Sequence, residues 1–184
     1  MTYANINIEQ VLQFGSDDDD VSLAPIGTAL PTNLTDLDPA FKEIGLLHED
    51  GMTIAPADSV DKRRGHQGHR VYKTIMTESD TDFSFIALQS NLDTLKIQWD
   101  VIKSEEDNGV FKHTMSNARG IERRAIVIRA YANGHKYLWA CSSFEIGERS
   151  EIKISATEDT AYSVTGTFTA DVIFITDDPA YKPV

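Results

Sequence analysis

The clearest pattern along the chain is a strict alternation of apolar and polar residues from Tyr162 to Val172. A period of two places one side-chain face in the interior and the other in solvent, so this stretch predicts a β-strand of eleven residues. Ile152 and Ile154 repeat the pattern over a shorter span. The C-terminal third of the chain is therefore expected to be β-structure.

A second signal is the dipeptide Asn133-Gly134, which separates two apolar runs at residues 124–132 and 135–144. A type I′ turn needs positive φ at both central residues, and Asn-Gly supplies them at little cost. The sequence therefore predicts a β-hairpin here. Residues 69–77 and 82–89 are also rich in β-formers, and the polar residues 78–81 between them predict a second antiparallel pair.

One segment has helical rather than strand periodicity. Ser90 or Asn91 can cap a helix near residues 91–103. Its apolar positions recur at spacings of three and four: Leu92, Leu95, Trp99 and Ile102. This stripe predicts a single helix packed on a sheet, ended by the polar turn at residues 105–109.

The first forty residues lack such patterns. Ile6, Ile8, Val11 and Leu12 form a short apolar cluster. The four like charges of Asp17–Asp20 predict a loop or a mobile tip. Two prolines and a glycine within residues 24–32 favour an extended connection.

These elements predict a mainly β protein: an antiparallel β-sandwich or partly closed barrel with one flanking α-helix. We divide the chain into an extended N-terminal arm (residues 1–40), a β-sandwich domain (41–176) and a C-terminal tail (177–184). The helix is expected to cover an open edge or end of the sheet.

The charge balance narrows the function classes. The 184 residues include 17 Lys and Arg against 29 Asp and Glu, a formal net charge of −12. Such a balance argues against tight nucleic-acid binding and against an anionic membrane surface. Cys141 is the only cysteine, so no disulfide can form within the chain. We find no export signal and no apolar stretch long enough to span a bilayer, and expect a soluble protein.

Candidate chemistry is sparse, and we predict no catalytic, cofactor-binding or metal-binding residues. His66 and His69 stand close together but lack converging partners, so solvated loop histidines are the simpler interpretation. The basic run Lys62-Arg63-Arg64 is either a solvated loop or a contact for an acidic partner. The conspicuous acidic run is at residues 17–20. The candidate contacts between subunits or rings are Asp17, Asp18, Asp19, Asp20, Lys62, Arg63 and Arg64.

Two motifs carry a resemblance to a known family. Residues 24–32 read Ala-Pro-x-Gly-Thr-Ala-Leu-Pro-Thr, and residues 41–51 read Phe-Lys-x-x-Gly-x-x-x-Glu-Asp-Gly. Together with the order of elements over residues 21–176, they resemble the major tail proteins of long-tailed, siphovirus-type bacteriophages, particularly those of actinobacterial hosts.

The resemblance implies a structural virion protein rather than an enzyme. Such subunits form six-membered rings that stack into a hollow tail tube, through which the genome passes during DNA ejection. It implies further partners in the tape measure, terminator and tail-tip proteins, assembly in the host cytoplasm and a location in the virion tail. Six times the −12 of one chain would give the conduit an acidic character that keeps phosphates from sticking.

Without the resemblance, the residues also allow a second class of function, a binding module. A monomeric β-sandwich binding module, for example for carbohydrate, would share this fold but should present several exposed aromatic side chains. Trp99 on the helix stripe and Trp139 in the hairpin strand are more simply explained as core. An enzyme ranks third because no converging catalytic group is visible.

Overall fold

The structure is a computed structural model that describes residues 7–183. Ile6 of the predicted apolar cluster, the rest of residues 1–6 and Val184 lie outside the described residues. Within the described part there are ten strands and one α-helix. The strands are β1 (Asp20–Pro25), β2 (Lys42–Glu43), β3 (Leu47–Arg64), β4 (Val71–Ala87), β5 (Asp100–Asp107), β6 (Val110–Ser116), β7 (Glu122–Ala132), β8 (His135–Arg149), β9 (Tyr162–Phe168) and β10 (Val172–Thr176); the helix is α1 (Leu92–Gln98).

Eight strands form one antiparallel sheet: seven follow the order β2-β1-β7-β8-β9-β4-β3, and the eighth, β10, pairs with β8. Residues 44–46 alone connect β2 at one edge to β3 at the other. A connection this short spans at most about 14 Å, so the sheet must curl until its edges approach. The edges do not pair with each other. The prediction of a mainly antiparallel, partly closed β-fold with one helix is confirmed, and the barrel remains open.

The curled sheet buries apolar side chains on both faces. The inner cluster centres on the aromatic residues Phe83, Phe85, Phe144 and Phe168, with Ile97 of α1 against them. The outer cluster uses alternate residues of β7 and β8 and is covered by the chain between β1 and β2. Its members from that covering segment are Leu30, Leu34, Leu37, Ala40 and Phe41. Part of the region predicted to be an arm therefore packs on the sheet.

At Gly166 the inner cluster packs closely against the backbone. It lies opposite Phe83 of β4 on one side and Ile146 of β8 on the other. A Cβ atom here would meet the Glu145 carbonyl oxygen and would lie 2.6 Å from the Phe144 ring. The missing side chain thus makes room for the Phe144 ring.

Two predictions from strand patterns are confirmed in large part. The Asn133-Gly134 turn joins β7 to β8, with φ of 52° and 81° at its two residues. The alternation that begins at Tyr162 forms β9 but stops at Phe168. After residues 169–171 the chain starts β10, which pairs with β8 instead of extending β9. The strand predicted around Ile152 and Ile154 is wrong, since no strand forms there and Ile154 is 95% exposed.

The antiparallel pair predicted for residues 69–77 and 82–89 is also wrong. Both runs belong to the single strand β4, and the partner of β4 is the 18-residue β3. Residues 78–81 contain neither Gly nor Pro, and their backbone pairs with β3, so the chain has no reason to turn there. The actual turn follows Arg64, where the Gly65 N–H donates to the Arg70 carbonyl.

The predicted helix is correct in place but too long. Asn91 caps α1 through a capping box with Thr94, and the helix ends at Gln98 rather than near residue 103. Ile102 lies on β5 and is exposed. The buried helix residues are Thr94, Ile97 and Gln98, not the predicted stripe. The polar residues 105–109 end in a second Asn-Gly turn, at Asn108-Gly109, which joins β5 to β6.

We expect the close packing at Gly166 to be visible in stability. Gly166→Ala should lower the free energy of unfolding by about 1–3 kcal/mol, because the added methyl group overpacks the Phe144 site. Urea denaturation monitored by circular dichroism measures this. Gly120→Ala is the matched control, since a Cβ at Gly120 meets nothing within 4 Å. Equal midpoints for the two variants would contradict the packing argument.

Candidate assembly surfaces

The acidic run at residues 17–20 divides into two halves with different surroundings. Asp20 opens β1 and is buried. Its Oδ2 accepts hydrogen bonds from Ser22 Oγ at 2.5 Å and from Arg129 Nη2 at 2.9 Å. Asp20 and Arg129 are direct cross-strand partners in the β1–β7 ladder. The prediction of a loop or mobile tip is therefore wrong for Asp20. Arg129, which is distant in sequence but lies on the adjacent strand β7, compensates its charge.

Arg129 is held from two sides. Its guanidinium also donates to Glu43 Oε1 of β2 at 2.7 Å. Burial lowers the pKa of Arg129, but the hydrogen bonds that it donates to Asp20 and Glu43 outweigh burial and raise that pKa overall. This arrangement ties three adjacent strands, β2, β1 and β7, at one level of the sheet.

Asp19 is likewise engaged within the subunit. Its carboxylate accepts from the backbone N–H of Tyr131 at 2.8 Å and from those of Gly15 and Ser16. Asp17 and Asp18 are exposed. Of the four predicted acidic contacts, these two have carboxylates that face solvent in the isolated subunit.

The basic candidates lie near the end of a long hairpin formed by β3 and β4. Lys62, Arg63 and Arg64 are all exposed, and the hairpin beyond Pro56 has little apolar burial on either face. Residues 62–73 contain five of the chain's 17 Lys and Arg residues and no Asp or Glu. This hairpin end is therefore strongly basic in an otherwise acidic chain.

The strand register places two of these basic residues opposite each other. Arg63 and Lys73 are direct cross-strand partners. Like charges placed opposite each other destabilise a ladder. Asp61, 3.7 Å from Arg63, compensates this only in part. The Arg64 guanidinium donates one hydrogen bond to the carbonyl oxygen of His69 in the turn. An acidic partner outside the subunit would relieve the repulsion.

The two predicted clusters do not meet within the subunit. No ion pair among the described residues joins Asp17–Asp20 to Lys62–Arg64. Whether either cluster contacts another subunit stays a prediction.

Two surfaces were missed by sequence reasoning. The first is β10, an apolar strand that pairs with β8 on one side, and whose Val172, Ile173 and Phe174 are about 40% exposed. The second is the β5–β6 hairpin, which stands outside the main sheet. The available signal for this hairpin was Asn108-Gly109, the same dipeptide that identified the β7–β8 turn.

The chain segments flanking the sheet converge on one aromatic cluster. Phe14 before β1 and Tyr181 after β10 both make edge contacts with the ring of Tyr137. The Tyr137 hydroxyl donates to Asp178 Oδ2 at 2.6 Å. Burial and this hydrogen bond raise the pKa of Tyr137 to about 12. The hydrogen bond in turn lowers the pKa of Asp178.

Trp139 packs in the same cluster and is half-buried, while Trp99 is covered by the guanidinium of Arg119, 4.0 Å from its ring centroid. Neither indole therefore presents an uncovered, exposed ring face of the kind expected in a carbohydrate-binding module. Among residues 7–183 no group of three or more His, Cys, Asp or Glu side chains could hold a metal ion. None of the helices in the described part of the chain has the length and apolar character that crossing a membrane requires.

Comparison with known families identifies the relationship. The sequence model of a family described as phage tail tube protein matches residues 19–179, nearly the whole described chain. The chain belongs to the phage tail tube protein family. It is a structural tail tube subunit, as the resemblance in the two N-terminal motifs implied. The narrower likeness to siphoviruses of actinobacterial hosts stays a prediction.

Solved structures with similar folds are distant in sequence. A chain from the virion of a native gene transfer agent particle is 11% identical, with a TM-score of 0.46, over 87% of this chain and 97% of that chain. A chain from the tail of an empty gene transfer agent particle, refined helically with C6 symmetry, is 12% identical, with a TM-score of 0.48 and the same coverage. A chain from the sheath-tube complex of an extracellular contractile injection system is 11% identical, with a TM-score of 0.44, over 94% and 98% of the two chains. No curated protein matches this tail tube protein.

The division of the acidic run predicts unequal effects of substitution. Asp20→Ala should lower the free energy of unfolding by about 2 kcal/mol, because it removes a charged hydrogen-bond acceptor from buried Ser22 and from Arg129. Asp18→Ala should change it by less than about 0.5 kcal/mol. Chemical denaturation of both variants measures the difference. Similar losses would mean that Asp20 is no more important to the fold than an exposed aspartate.

Tyr137 should deprotonate above the ordinary pH range of a tyrosine. Burial and the hydrogen bond to Asp178 raise its pKa in the folded protein to about 12, above the ordinary value near 10, so the protonated hydroxyl stabilises the fold fully below pH 10 and this contribution is lost as the pH rises toward 12. The difference in tyrosinate absorbance between the parent and Tyr137→Phe during a pH titration measures this. Asp178→Asn should move the Tyr137 transition to lower pH. An unchanged transition would contradict the assigned hydrogen bond.

Proposed function

We propose that this tail tube protein closes into rings of six subunits, the number that the resemblance implies, and that the rings stack into a hollow tube through which genomic DNA passes. The family match over residues 19–179 carries this proposal. The tube is expected to lie in the virion tail and to be assembled in the host cytoplasm. The tape measure, terminator and tail-tip proteins are its expected further partners.

The sheet supports lateral association within a ring. Among the described residues, its long edge strand β3 and the apolar strand β10 both leave backbone groups without a neighbouring strand on one side. An exposed edge is a template for pairing with another chain, and an isolated protein normally protects it. Here the two edges belong to different parts of one subunit, so contacts between copies would be heterologous and can close into a ring.

The β3–β4 hairpin supports association along the tube axis. Its outer half is not paired with β9, since β4 pairs with β9 only from Asp82 onward. Eleven residues of β4 precede Asp82. At roughly 3.3 Å per residue they span about 35 Å, and we expect this length to contact a neighbouring ring.

The overall charge fits a conduit for DNA. A wall with more acidic than basic side chains repels phosphates and lets the duplex slide, whereas clustered Lys and Arg would hold it. The five basic residues of residues 62–73 sit on the hairpin end, which the proposal places between rings and away from the lumen. A net basic lumen in an experimental structure of the tube would contradict this part of the proposal.

Electron microscopy of the purified protein tests both ring formation and ring stacking. Combined charge reversal at Lys62, Arg63 and Arg64 should shorten tubes at low salt and leave isolated rings intact, because axial contacts lose their attraction while lateral contacts do not. Raising the salt should reduce the gap between variant and parent.

The matched control is charge reversal at Lys153, an exposed residue whose ammonium pairs locally with Glu158. It should leave tube length unchanged. Tubes of parental length from the triple variant across ionic strengths would show that Lys62–Arg64 are merely solvated. A parent protein that stays monomeric at all concentrations would instead favour the single-module alternative.

A further inference from the structure

The β5–β6 hairpin has the pattern of a surface built to be covered. Its residues are almost all exposed, and within residues 7–183 it pairs with no other strand. A two-stranded hairpin alone is marginally stable in water. The Trp99–Arg119 stacking contact holds its base, since these two residues flank the hairpin in sequence. Nothing in the described chain packs over the rest of it.

The register divides this hairpin into two unlike faces. On one face Glu106 lies opposite Phe111, and Val101 lies opposite Met115. Phe111 is 67% exposed, and Glu106 has no ion pair among the described residues. On the other face Glu105 lies opposite Lys112 and also pairs with Lys103. The first face, which we call the Glu106 face, therefore combines exposed apolar surface with an uncompensated carboxylate.

The β3–β4 hairpin has a face of matching character. Val60 lies opposite Met76, and Lys62 lies opposite Thr74 on the same face. Tyr72, two residues before Thr74 on β4, shares this face and is 68% exposed. Lys62 has no carboxylate partner among the described residues. This Lys62 face thus offers apolar surface and an uncompensated ammonium.

The two hairpins begin at opposite ends of the β4 segment that pairs with β9. The β3–β4 hairpin extends from the Asp82 end of the β4 segment that pairs with β9. At the other end, after Ala87, the chain enters α1, where Gln98 donates to the Ser163 carbonyl at 3.2 Å, and then β5. Ser163 is the register partner of Ile86. The Lys62 face therefore lies beyond one end of this segment, and the base of the Glu106 face lies beyond the other.

We propose that the Lys62 face of one copy docks on the Glu106 face of a copy in the next ring. Charge complementarity and exposed apolar surface on both sides favour this occupant over an unrelated partner. The contact is head-to-tail and repeats without closing, which is the symmetry that a filament requires. It rests on the proposed stacking of rings and names the surface that receives the basic hairpin.

A charge swap within the full chain tests the pairing. Lys62→Glu and Glu106→Lys should each raise the critical concentration for tube formation by roughly tenfold or more, because like charges then face each other at every axial contact. The double variant should return toward the parent value, since it restores an opposite pair. Sedimentation of tubes over a protein concentration series measures this. Asp107→Lys, on the opposite face of the same hairpin, is the matched control and should behave like the parent.

Cysteine cross-linking gives an independent readout. The double variant Lys62→Cys, Glu106→Cys should form a ladder of covalent multimers on mild oxidation of tubes, whereas each single variant stops at dimers. Cys141 does not interfere because it is fully buried. Tubes that show neither rescue in the charge swap nor a ladder overturn this inference and leave the ring-stacking proposal standing. A parent chain that forms no rings or tubes overturns both.

Discussion

The hydrogen-bonded ladder of β8 is the interaction on which the rest of the subunit depends. Along one side β8 pairs with β7 for almost its whole length. Along the other it pairs with β10 through residues 137–141 and with β9 through residues 144–149. Its side chains enter both hydrophobic clusters, Phe144 and Ile146 on one face and Leu138 and Ala140 on the other. Loss of this ladder would separate both cores at once.

The main sheet and the two exposed hairpins differ in what stabilises them. In the body, curvature of the sheet and the close approach at Gly166 let aromatic rings fill the interior, so stability is internal. The β5–β6 hairpin and the outer half of β3–β4 lack a core of their own, and their exposed apolar side chains and uncompensated charges are costs for an isolated subunit. In an assembly, contacts between subunits would bury the apolar side chains and pair the charges. A subunit designed for a polymer can leave such surfaces open, whereas a monomeric module would have to cover them.

Local sequence signals predicted much of the fold. Asn133-Gly134, the alternation from Tyr162 and the cap at Asn91 act over a few residues, so they can be recognised without knowing the tertiary structure. The errors arose where distant residues decide. Residues 78–81 stay extended because β3 pairs with them, and Asp20 is buried because Arg129, 109 positions later, neutralises it. Exposed positions for the candidate basic contacts were predictable, but the like-charge pair of Arg63 and Lys73 appears only once the register is known.

The pairing of β1 with β7 has a consequence for biosynthesis. About 100 residues separate these partners, and at a translation rate of roughly 5–20 residues per second β1 leaves the ribosome about 5–20 seconds before β7 can pair with it. During that interval the apolar residues Val21 and Leu23 lack their partners on β7, and only the two-residue strand β2 is available to pair with β1. Four aspartates stand directly before them, and charges that flank an apolar strand oppose its aggregation. We therefore expect the acidic run to protect the nascent chain first and to serve the folded subunit only afterwards.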